Sequence, residues 1–190
     1  MRKKTLLGLS VMLILIFIII LVVVQFSKKD QIKGFENRLK NNGYEIQEIQ
    51  KPVSINVHIK PEWIANKTEN TKKVEVTILE KNNTKIILEN VQYRENDIYF
   101  TFKTSTKINK DDSVFLSNNV FNADGTSHAY TPNNLFEITT SKKEIIPLGQ
   151  IAFEENSGFS FGVPVENYHS IKNGFDLKYS GFILYSYFKN

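Results

Sequence analysis

The chain has 190 residues, with 24 Lys and Arg, 20 Asp and Glu, and no cysteine. Five basic residues and no acid fall in the first 29 positions, which leaves 19 basic against 20 acidic groups beyond them, a net −1. The overall +4 therefore marks a short N-terminal flank. No basic block interleaved with aromatics follows it, so the sequence excludes nucleic acid as a partner.

The flank explains its own charge. Leu6 to Val24 is an unbroken apolar run, interrupted only by Gly8 and Ser10. At about 1.5 Å per residue it is roughly 28 Å long, close to the hydrocarbon thickness of a bilayer. The run exceeds the apolar region of a signal peptide and lacks a small-x-small cleavage site after it. Without cysteine, a lipid-modified thiol is also excluded. Residues 6–26 are thus predicted to be an uncleaved signal-anchor helix whose partner is the lipid bilayer, with 1–5 as a cytoplasmic tail. Arg2, Lys3, Lys4, Lys28 and Lys29 flank it as headgroup contacts. The basic count is nearly balanced across the run. Three charges on a short tail, and the ease with which long C-terminal domains translocate, favour the C-terminal part outside.

Residues 27–43 are predicted to form a juxtamembrane stalk helix: Ile32, Phe35 and Leu39 share a face, and Asn41-Asn42-Gly43 stops it. From Tyr44 the period becomes two. Val53, Ile55, Val57 and Ile59 alternate with polar residues until Pro61. Val74, Val76 and Ile78 repeat the pattern, Lys81-Asn82-Asn83 turns, and an apolar strand runs from Lys85 to Tyr93. After a turn at Arg94 to Asp97, Ile98, Phe100 and Phe102 face one way and Tyr99, Thr101 and Lys103 the other. Val114 to Phe121 is the next strand, and Asp124-Gly125 a tight turn. Leu135 to Thr139 and Gln150 to Phe153 are shorter. Phe159, Phe161, Val163 and Val165 alternate, Asn173-Gly174 turns, and strands at Phe175 to Tyr179 and Phe182 to Phe188 close the chain. Nine or ten short strands at roughly 8–12-residue spacing predict an all-β antiparallel sandwich over 44–190. Uneven strands and a long connection near Thr139 to Leu148 favour a sandwich over a closed barrel.

No pattern that carries catalysis survives inspection. Gly158-Phe159-Ser160-Phe161-Gly162 fits G-x-S-x-G, but a nucleophile elbow needs a strand-to-helix turn, and then an acid followed by a histidine. Here the serine lies inside an alternating strand, Pro164 follows, and the order is His169 then Asp176. Ser160 is expected to face solvent between two core phenylalanines. His58, His128 and His169 are scattered and have no cysteine to complete a zinc set. Asp111, Asp112 and Asp124, with Glu95 and Asp97, fall in turns, where acids are common for conformational reasons. Neither a metal nor another cofactor is expected. Aromatics crowd the C-terminal strands. Core is the default for them, and Tyr179, Tyr185 and Tyr187 are the candidate partner patch.

Four short stretches, Asp124-Gly125, Pro147-Leu148-Gly149, Phe161-Gly162-Val163-Pro164 and Leu177-Lys178-Tyr179, occur in an order that resembles the extracellular immunoglobulin-like domains of Gram-positive lipoproteins and membrane-anchored proteins. The lipid-attachment cysteine common in those proteins is absent. The resemblance implies an immunoglobulin-like sandwich outside the membrane and supplies no catalytic residue. The function expected is a membrane-anchored extracytoplasmic binding or interaction module without catalytic activity, its partner an unknown protein or envelope component. A structural subunit of an envelope or secretion complex, and a hydrolase with an unrecognised site, are the alternatives.

Overall fold

In the computed structural model, residues 39, 42–107, 113–124, 126–154 and 157–189 are described. Alternation is strongest in β1 (Tyr44–Ile59), where Val53, Ile55, Val57 and Ile59 are buried and the residues between them exposed. One face meets a core and the other meets water, as a period of two requires. β2 (Thr71–Lys81) and β3 (Thr84–Tyr93) form a hairpin across Asn82 and Asn83. Both asparagines have φ near +50°, at 50° and 56°. That left-handed pair matches the twist of a two-residue hairpin, and Asn tolerates it better than most residues. β4 (Asp97–Thr106) returns along β3, and the turn closes with the Arg94 N–H donating to the Asp97 carbonyl at 2.8 Å.

The remaining strands are β5 (Ser113–Ser117), β6 (Asn119–Phe121), β7 (Ser127–Ala129), β8 (Phe136–Thr139), β9 (Ile151–Phe153), β10 (Phe159–Pro164) and β11 (Phe175–Lys189). One sheet runs β2-β3-β4-β10-β9. The other has β11 at its centre, with β1 along one side and β5 and β8 along the other. β6 and β7 make a separate hairpin. All these pairings are antiparallel. Both large sheets contribute to one buried cluster, so the described residues form an all-β, sandwich-like domain. Phe100 and Phe102 of β4 stack on Phe161 and Phe159 of β10 at 5.2 and 4.8 Å. Across the layers, Phe159 stacks on Tyr179 at 4.1 Å and Phe100 meets Phe175 edge-on at 5.3 Å. Each such ring contributes about 1.5–3 kcal/mol by burial.

Three strand expectations change. Val114 to Phe121 is two strands, split at Asn118, which is fully buried. The run through Val165 stops at Pro164, where a helical turn (Val165–Asn167) leads into helix α1 (Tyr168–Ile171). Phe175 to Tyr179 and Phe182 to Phe188 are one long strand, β11, with Ser180 and Gly181 inside it. Its apolar residues are covered by rings from other elements: Phe159 of β10 packs on Tyr179 and Phe182, and Phe121 of β6 on Tyr185. No helix among the described residues is long and apolar enough to cross a membrane. The anchor predicted at 6–26, its flanks Arg2, Lys3, Lys4, Lys28 and Lys29, and nearly all of the 27–43 stalk lie outside the described residues.

Candidate functional site

On the outer face of β10 stand two small residues, Ser160 and Gly162. Their size lets two side chains of β4 lean across them. Tyr99 reaches Ser160, its hydroxyl 2.6 Å from Oγ. The Asp97 carboxylate lies over Gly162, so that a Cβ there would run into it. Asp97 is thereby placed, 12 % exposed at its side chain, to take Arg94 in a two-pronged grip. Nε donates to Oδ1 and Nη2 to Oδ2, both at 2.6 Å. Nη2 also donates to the Gln150 side-chain oxygen at 3.2 Å. The guanidinium lies 3.8 Å from the centre of the Tyr99 ring, within cation–π range. The Asp97 hydrogen bonds push the Arg94 ionisation further up, against an opposing effect of burial. The result is a fixed guanidinium with its Nη1 edge unpartnered among the described residues. Long arginine side chains are otherwise costly to hold still.

Beside this platform lies a shallow open groove of about 490 Å³. Lys67, Asn70, Thr71, Gln92, Tyr93, Arg94 and Glu95 line it, and Thr71 and Gln92 are direct neighbours in the β2–β3 ladder, so its floor is continuous. The ladder is extended by one rung where the Tyr93 N–H donates to the Asn70 carbonyl at 2.8 Å. Tyr93 is half-buried and meets Tyr168 of α1 edge-on at 5.5 Å. The chain passes from Ile59, the last residue of β1, through a helical turn (Pro61–Trp63) to Lys67 at the groove. Gly174, at φ +93°, packs so close to Ile59 that a Cβ would sit 2.9 Å from its carbonyl oxygen. Tyr44, where the chain enters β1, is at the other end, a span of roughly 50 Å at ~3.3 Å per residue.

The residues predicted from sequence are placed elsewhere. Tyr179, Tyr185 and Tyr187 are buried, at 0, 4 and 0 % exposure, so their rings fill the interior rather than a patch. Tyr179 folds back over Gly181, where a Cβ would collide with its hydroxyl end. Burial pushes its phenol above the ordinary value of 10.0. Tyr185 donates to the Asn119 carbonyl at 3.1 Å. Ser160 is 3 % exposed, a correction to the solvent-facing position expected of it, because Tyr99 covers it. Gly158 of the same motif packs against the Phe102 carbonyl, with 3.0 Å to a notional Cβ. The G-x-S-x-G match thus records where a strand must be narrow.

His58, His128 and His169 are exposed and lie on β1, β7 and α1. His58 Nδ1 sits 2.8 Å from Asp176 Oδ1, an exposed pair with no nucleophile bonded to it among the described residues. No group of three or more His, Asp or Glu side chains among the described residues converges to hold a metal. The turn acid Asp124 accepts from the Thr126 N–H at 2.9 Å, in keeping with its expected conformational role.

Arg94, Gln150, Lys67, Asn70, Gln92 and Tyr93 were not singled out by sequence. In the sequence, Arg94 and Asp97 mark only a turn. The available signal is an Arg-x-x-Asp spacing at a hairpin, opposite small residues on a strand 63 to 68 positions further on. That signal is visible only once the β4–β10 register is known. Comparison with family models, with curated proteins and with solved structures finds no match to this chain. The class that fold and site define is therefore architectural: a two-layer antiparallel β domain with an arginine platform beside an open polar groove.

Proposed function

We propose that the chain is a membrane-tethered, extracytoplasmic binding module without catalytic activity, and that the groove beside Arg94 is its contact surface. The observation that carries the reading is the fixed arginine. Asp97, Gln150 and Tyr99 hold one guanidinium still at the lip of an open groove, and a pre-organised donor spares a ligand the entropy of ordering it. The apolar run at 6–26 supports a tether. An immunoglobulin-like arrangement belongs to the same proposal. Its support is the pair of antiparallel layers around one core, with residues 140–150 crossing from β8 to β9.

The chain has no cysteine, so a single introduced thiol reports one place. Lys67→Cys puts it in the groove, and Gln47→Cys puts it at the opposite end of β1. Each variant is treated with a membrane-impermeant maleimide, on intact cells and as purified chain. The proposal predicts that position 67 reacts several-fold more slowly on cells than when purified, while position 47 reacts alike in both. Equal rates at position 67 in the two settings would contradict the groove as a contact surface. Failure of both positions to react on cells, persisting after removal of any wall, would contradict the location.

A further inference from the structure

The groove carries hydrogen-bonding groups of both senses. Lys67 and the free Nη1 edge of Arg94 only donate, and Glu95 only accepts. Asn70, Gln92 and Thr71 do both. Formal charge balances as well: Lys67 and Arg94 stand against Glu95 and the Asp97 that grips Arg94. Neither Lys67 nor Glu95 has an ion-pair partner among the described residues. A polyanion wants donors alone and a surplus of positive charge, which this groove lacks. A peptide docking through its side chains wants apolar pockets, and no aliphatic side chain lines this groove. A hydroxyl-rich chain matches better. Each hydroxyl donates and accepts, and the carbon face of a sugar ring packs on an aromatic such as Tyr93.

We propose that the groove binds a neutral polyhydroxyl ligand, a run of glycan chain lying against Asn70 and Gln92 and hydrogen-bonded to Arg94 at one end. An open, shallow groove admits a chain that continues beyond it on both sides. The inference rests on the reading of the groove as a contact surface and adds the chemistry of the ligand.

The test uses the full chain, kept in solution with a sugar-free detergent, and titration calorimetry. The probes are three neutral hexasaccharides (of glucose β-1,4-linked, glucose α-1,4-linked and N-acetylglucosamine β-1,4-linked) and the anionic hexamer of galacturonic acid. At least one neutral probe should bind, with an affinity that changes less than about twofold between low and high salt. The double variant Asn70→Ala with Gln92→Ala should weaken that binding about tenfold or more, at an unchanged thermal midpoint, because two hydrogen-bonding amides are lost. Gln92→Glu is the second variant: it keeps the shape, adds a charge and should weaken the neutral probe less than the double alanine. Binding of the anionic probe alone, with a steep fall in salt, would overturn the ligand class, as would failure of all four probes. Neutral binding indifferent to the double variant would move the ligand elsewhere. The maleimide protection at position 67 is independent of ligand chemistry, so it separates a wrong ligand from a wrong surface.

Discussion

Glycine and serine on β10 do what larger residues could not. The outer face of a strand next to β4 is ordinarily a place for side chains that cover it. At Gly162 the missing Cβ is the space the Asp97 carboxylate occupies. Gly162→Ala should therefore displace Asp97, loosen its grip on Arg94, and destabilise the domain by about 1–3 kcal/mol through overpacking and a weakened buried contact. Arg94 is 36 % exposed at its side chain and keeps part of its hydration, which holds the cost to that range. Chemical denaturation checks it; an alanine variant as stable as the parent would mean the carboxylate has room that the geometry denies. The same residues show how far sequence reading goes. The G-x-S-x-G match lacks the partner order of an elbow, and Pro164 follows where a helix should run. What the match stood for was illegible, since Asp97 and Gly162 are 65 positions apart and meet only through strand register.

At the scale of elements, β2, β3 and β4 are held on their outer face by one lysine. Lys103 of β4 donates to Glu89 of β3 at 3.2 Å and to Glu75 of β2 at 2.8 Å. Glu75 sits where the β2 register slips, at φ 50°, and that irregularity turns it toward Lys103. The Lys103 hydrogen bond holds the Glu75 carboxyl below its ordinary 4.5, against a smaller opposing effect of burial and with help from the charges of Lys103 and Lys73. The Glu75 bond in turn raises Lys103 above 10.5. A depressed acid contributes stability that is present above its unfolded value and lost as pH falls through the folded one. A raised lysine contributes stability that is present below its unfolded value and lost as pH rises through the folded one. The cluster therefore works across the whole range between about 4.5 and 10.5 and fails at both ends. In Lys103→Met, the Glu75 carboxyl should titrate closer to 4.5, as read by side-chain NMR; an unmoved titration would show that the contact is not kept in solution.

Strands with a clean period of two were legible: the alternation at Val53 to Ile59 and at Ile98 to Lys103 is the burial observed. The Asn82-Asn83 turn was legible for the same local reason, its residue type. β11 was not. Gly181 is the gap into which Tyr179 folds, and β1 pairs with the strand on both sides of it across a register shift between Val53 and Ile55. For Tyr179, Tyr185 and Tyr187 the default reading, core, is the one observed, and the partner patch offered beside it is not.

At the scale of the whole molecule, the account assigns recognition to the β domain and only attachment to the apolar run. The rival is a subunit docked by its membrane helix. Gly8 and Ser10 are small enough for helix packing, though their spacing is not that of a small-xxx-small ridge. The two accounts part on what the anchor must be. The direct measurement replaces residues 1–26 with an unrelated single-pass anchor in the Lys67→Cys chain and repeats the maleimide footprint on intact cells. The account predicts that the protection of position 67 survives the exchange, with position 47 still reactive. Loss of protection at position 67, with the chain still present at its former level, would contradict it and give the function to the helix.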